Sequence, residues 1–110
     1  ESPALVCRMA LYRLYWPKGL TEEWKEEYWK YIKKHPDEAA KGLTERGERE
    51  ILSWLAEAKE TDSQMLEQMI QATAGLGDAQ VSAILMDARH KKMGAQSGDK
   101  PKPRVRTFEL

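Results

Sequence analysis

Residues 3–16 are apolar almost without a break: in P-A-L-V-C-R-M-A-L-Y-R-L-Y-W only Arg8 and Arg13 interrupt the run. Ser2 and Pro3 supply an N-cap and a proline at the first helical position, and Pro17 and Gly19 stop the helix. A helix with so narrow a polar face is expected to be the central, most buried one. The alternative is that its excess apolar surface meets a partner. A second helix opens at Thr21, with Glu22 and Glu23 in its first turn and Lys33, Lys34 and His35 in its last, the order that suits the helix dipole. Trp24, Tyr28, Tyr31 and Ile32 recur at helical spacing and are expected to line its core face. Trp29 falls partly off that face and is the expected exposed, partner-binding contact.

Pro36 ends this helix and starts a short one that fades near Gly42. Thr44 then caps a third main helix through Glu60, charged in its first half and expected to bury Ile51, Leu52, Leu55 and Trp54 in its second. Gly47 inside it marks a late start or a close contact, at about 1 kcal/mol relative to alanine. Thr61-Asp62-Ser63-Gln64 matches a capping box, threonine with glutamine three residues on. The helix it opens carries Met65, Leu66, Met69, Ile70 and Thr73 on one side and closes at Gly75 or Gly77. Asp78 caps the last helix, whose apolar face is Val81, Ile84, Leu85 and Ala88. From Gly94 onward the periodicity is lost and Lys-Pro-Lys-Pro favours an extended run. The pattern predicts an all-α fold: a compact bundle of four to five helices over residues 1–93, followed by an extended basic C-terminal tail, 94–110, flexible or docked on a partner.

Charge changes this picture. The net charge is zero, but residues 89–106 hold seven Lys/Arg against Asp99, a local +6, and the rest of the chain carries −6. An acidic body with a basic arm points to a polyanion, or to a tail folded back on its own acidic body. No apolar run reaches the ~20 residues of a membrane span, and the N-terminus lacks the order of a signal peptide, so no membrane partner is expected. The chain begins with Glu1 rather than Met, as a fragment or a processed chain would. A single cysteine, Cys7, gives no disulfide framework and fits a reducing, cytoplasmic setting.

Candidate chemistry is thin. Cys7, His35 and His90 have no ligand spacing among them, and Asp87-x-x-His90 lacks the second pair that a carboxylate-bridged metal site needs. No metal, cofactor or catalytic residue is assigned, and an enzyme is not expected. Ala74-Gly75-Leu76-Gly77 joins the last two helices with a turn of helix-turn-helix length. In that geometry Gln80 and Ser82 reach base edges. Arg89, His90, Lys91 and Lys92 meet phosphates, and Lys100, Lys102, Arg104 and Arg106 track the backbone of DNA or RNA. A plain αα-hairpin uses the same turn and the same apolar spacing.

The stretch G-L-T-E-R-G-E-R-E-I-L-S-W-L-A-E-A-K resembles the opening helix of LuxR-type helix-turn-helix domains. T-D-S-Q-M-L-E-Q-M is similar to their scaffold helix, and A-G-L-G-D-A-Q-V to the turn and the start of their recognition helix. Gly47 as an extra residue, a scaffold helix about a turn too long and the acidic Asp78 depart from that pattern, and no site residue is carried over from it. Two functions follow as expectations. The first is a small nucleic-acid-binding accessory or regulator using the last helix and the basic arm. The second is a non-enzymatic protein-interaction module, with a protein partner or a second copy, using the apolar first helix and the tail. For the tail, Phe108 and Leu110 in T-F-E-L are the apolar contacts, on one side of the chain if extended.

Overall fold

The structure is a computed structural model that describes residues 2–97, with side chains through residue 94. These residues form six α-helices: α1 (Pro3–Tyr15), α2 (Glu22–Lys34), α3 (Pro36–Arg46), α4 (Arg49–Glu57), α5 (Ser63–Thr73) and α6 (Ala79–Ser97). A 3₁₀ turn, Ala74–Leu76, lies between the last two. The all-α reading holds, with one helix more than expected.

The additional helix is the short one expected from Pro36, which does not fade at Gly42 but runs on to Arg46 and stops at Gly47. Gly47 sits in the left-handed region (φ 72°) just past α3, and its N–H and that of Glu48 return to the carbonyls of Thr44 and Leu43. This is a glycine C-terminal stop, so residues 44–46 belong to the helix that begins at Pro36, and the expected third helix starts late, at Arg49. Thr44 does not cap a helix start. Its hydroxyl donates to the Ala40 carbonyl (2.8 Å) inside α3. The expected capping box also shifts by one residue. Asp62 is the N-cap of α5, its Oδ1 accepting from the Met65 N–H (2.8 Å), while Thr61 is buried. A carboxylate beside four orphan N–H groups is favoured there. At the other end, α6 continues through Gly94 to Ser97.

The core is built from α1 (Cys7, Ala10, Leu11, Leu14), α2 (Trp29, Ile32), α3 (Ala39, Ala40, Leu43), α4 (Ile51, Leu52, Leu55, Ala56), α5 (Met65, Leu66, Met69) and α6 (Val81, Leu85, Ala88). The most extensive pairing is α3 with α5. Ala39, Ala40 and Leu43 of α3 and Leu66 and Met69 of α5 are all buried, as close packing of the two helices requires. The expectation that the first helix is the central one is therefore corrected. α1 packs on α2, α3 and α4, but only through one stripe, because α3 supplies the shared centre.

Candidate interaction surfaces

The expected nucleic-acid surface starts at the α5–α6 hairpin. Gly77 has φ 73°, and Asp78 Oδ1 accepts from the N–H groups of Gln80 (3.1 Å) and Val81 (3.2 Å), so the turn and cap form as the residues dictate. Those hydrogen bonds, from Val81 first, and the Arg49 guanidinium hold the Asp78 carboxyl below its ordinary range. Arg49 reaches it from α4 at 2.8 Å. Gln80 is exposed and Ser82 half-buried.

The cations of α6 are occupied by the protein itself. Arg89 pairs with Glu67 of α5. Lys91 lies 3.2 Å from Asp87 and 3.8 Å from Glu57 of α4. Lys92 Nζ donates to the Ala58 carbonyl (2.6 Å), at the C-terminal end of α4, where a cation suits the helix dipole. These three side chains fasten α6 to α4 and α5. His90 is exposed. Lys100, Lys102, Arg104, Arg106, Phe108 and Leu110 lie outside the described residues.

The assignment of Trp29 as an exposed contact is overturned. Trp29 is 9% exposed, its ring 5.7 Å from that of Trp54, whereas Trp24, expected inside, is 57% exposed. The aromatic arc of α2 is wider than one contact face, and packing covers its Trp29 edge. Cys7 offers no reactive thiol. Burial, with Glu38 and Asp37 nearby, pushes its pKa up to about 11. Among the described residues no group of three or more His, Cys, Asp and Glu stands ready to hold a metal ion.

A second surface lies on the outward side of α1. At about 100° per residue, Leu5, Met9, Tyr12 and Trp16 fall within roughly 60° of one another, opposite the buried stripe Cys7, Ala10, Leu11 and Leu14. Trp16 is the C-cap, where the backbone leaves the helical region (φ −117°, ψ 81°), but its N–H still donates to the Tyr12 carbonyl (2.9 Å), which ties it to the last turn. Leu5 is 46%, Met9 56% and Trp16 61% exposed. A helix on the outside of a bundle ordinarily turns a polar face to water; this one presents a second apolar stripe.

The stripe is held firmly at its aromatic end. The Tyr12 hydroxyl donates to the Glu48 carboxylate, whose other oxygen accepts from Arg46 Nε at 2.7 Å. The Arg8 and Arg46 guanidinium carbons lie 5.6 and 5.8 Å from the Tyr12 ring centre, a cation–π arrangement on either count. The Trp16 ring stands 5.8 Å from Tyr12 and edge-on to Tyr15 at 4.7 Å. Burial works against a charged Glu48. The hydrogen bonds from Tyr12 and Arg46 and the charges of Arg46 and Arg8 outweigh it and hold the carboxyl below its usual range. The spacing i, i+4, i+7, i+11 was present in the sequence as the signal of this stripe. It is hidden there because the buried stripe of the same helix is equally apolar. Comparison of the chain with known protein families, with curated proteins and with solved structures returned no match.

Proposed function

We propose that this chain is a non-enzymatic protein-interaction module that receives a helix of a partner protein on the outward face of α1. One observation carries the reading: α1 has two apolar stripes on opposite sides, and the bundle core uses one of them. An exposed Leu-Met-Trp row of this length is unfavourable in water unless something covers it. The aromatic network around Tyr12 and Glu48 keeps the row in a fixed shape, which lowers the entropy lost on docking. A photo-crosslinking side chain placed at Met9, in cells that express the chain, should give an adduct of defined mass. The same group at exposed Gln71, on α5, should not. Adducts absent at Met9, or equal at both positions, would remove the reading.

The nucleic-acid reading keeps a narrower basis. Its support is the hairpin, with Gln80 and His90 exposed, and the four cations Lys100, Lys102, Arg104 and Arg106. Arg89, Lys91 and Lys92 already face carboxylates or a carbonyl, so their contribution to phosphate binding is small. With four duplex phosphate contacts the slope of log affinity on log salt is about −3.5, against about −6 for all seven basic residues. A gel-shift series across salt measures it, and no binding at low salt ends this reading.

A further inference from the structure

We infer that the partner of the outward α1 face is an amphipathic helix with acidic residues on both sides of its apolar seam. The inference rests on the docking function proposed above and specifies the chemistry of its ligand. Leu5, Met9, Tyr12 and Trp16 alternate in steps of four and three, the spacing of d and a positions in a heptad seam. In that register Arg8 takes position g and Arg13 position e, one on each side of the seam, where charges select the facing helix. They are the only charged residues of α1, and both are exposed. Arg8 lies against the Tyr12 ring but holds no ion pair, nor does Arg13, among the described residues. Glu48, the carboxylate that touches the seam at Tyr12, is already tied to Tyr12 and Arg46. Arg8 acts on that carboxylate by its charge but does not pair with it, so both flanks present positive charge with no ion-pair partner among the described residues.

This charge decides among the occupants. A second copy docking α1 on α1 sets arginine against arginine in parallel and antiparallel pairings alike, because e faces g in one and each faces its own kind in the other. The chain's own Phe108-Glu109-Leu110 end follows Lys100, Lys102, Arg104 and Arg106, four cations brought toward two more. An anionic bilayer attracts the arginines but does not select a heptad row, and the chain outside residues 89–106 carries −6. A helix with an apolar seam and Glu or Asp beside it satisfies the apolar row and both arginines together.

The test uses two synthetic peptides of about three heptads, with leucine at a and d. One has glutamate at e and g, the other lysine, so that neither pairs with itself. Fluorescence anisotropy with the 110-residue chain should show the glutamate peptide binding at least about tenfold more tightly, a preference that shrinks in about 0.5 M salt. The Arg8→Glu/Arg13→Glu double variant should reverse the preference and favour the lysine peptide, a gain that only a folded protein can show. Met9→Asp should abolish binding of both. Equal affinity for the two peptides, lost in Met9→Asp, overturns the acidic-partner inference and leaves helix docking standing. Binding of neither peptide overturns both. Self-association of the unliganded chain that Met9→Asp abolishes assigns the face to a second copy. Peptide affinity that rises without discrimination on removal of residues 98–110 assigns it to the tail. Tighter binding to phosphatidylserine vesicles than to either peptide assigns it to a membrane. Each of these three also overturns the inference.

Discussion

Thr61 shows what a single buried polar atom does in this bundle. Its side chain is wholly buried between α4 and α5, and its hydroxyl has no hydrogen-bond partner among the described residues. A buried hydroxyl without a partner is destabilising relative to a methyl of the same shape. Thr61→Val should therefore raise stability by about 1 kcal/mol in urea unfolding, and a loss of that size would mean the hydroxyl is satisfied in solution. Glu48 is the opposite case, a carboxylate held charged by Tyr12 and Arg46. Its folded-state pKa lies below the unfolded value. Its contribution to stability is thus present above about pH 4.3 and is lost as the pH falls below that through the folded pKa. Glu48→Gln should lose less stability than the parent chain between about pH 6 and pH 3; an equal loss would assign acid sensitivity to other carboxylates. Neither residue's role is readable from the sequence. Thr61 looks like a cap and Glu48 like one more exposed acid until a neighbouring helix arrives.

At the scale of elements, local chemistry placed most boundaries. Ser2, Thr21 and Asp78 each accept from backbone N–H groups of the helix they open, as their sequence positions predict. Gly47 is where local reading left a late start or a close contact open; α4 does start late, at Arg49, a Cβ at Gly47 would meet nothing within 4 Å, and the glycine also stops α3. Its φ of 72° belongs to the region that costs a side-chain-bearing residue about 1–2 kcal/mol. Gly47→Ala should accordingly lower stability by about that amount in chemical denaturation, although alanine favours helices. A stabilised variant would mean that α3 and α4 fuse when allowed. α1 offers a contrast within one helix. Leu11→Ala removes a fully buried side chain and should lose about 2–5 kcal/mol. Leu5→Ala on the outward stripe should stay within about 0.5 kcal/mol in the free protein. Comparable losses at both positions would show that something already covers the stripe.

For the whole molecule, charge is arranged in a way the linear sequence conceals. The split between an acidic body and a basic C-terminal stretch is visible in composition. The fold divides that basic stretch again: Arg89, Lys91 and Lys92 are consumed in holding α6 to α4 and α5. The cations of the seam on α1 lie elsewhere: Arg8 acts on the Glu48 carboxylate without pairing with it, and neither Arg8 nor Arg13 holds an ion pair among the described residues. Net charge along the chain and free charge on the surface are therefore different quantities in this protein.

Helix content, the N-caps and the glycine turn before α6 follow from residues acting over three or four positions, where the chain's own backbone is the partner. Trp24 and Trp29, Thr61 and the two stripes of α1 do not. Each involves an apolar or polar group whose partner lies on another helix, and hydrophobic spacing is the same whichever face a neighbour covers. The heptad row of Leu5, Met9, Tyr12 and Trp16 was in the sequence from the start. Only packing on α2, α3 and α4 determined that Cys7, Ala10, Leu11 and Leu14 go inward, that Tyr12 is half-buried, and that Leu5, Met9 and Trp16, flanked by Arg8 and Arg13, are left facing water.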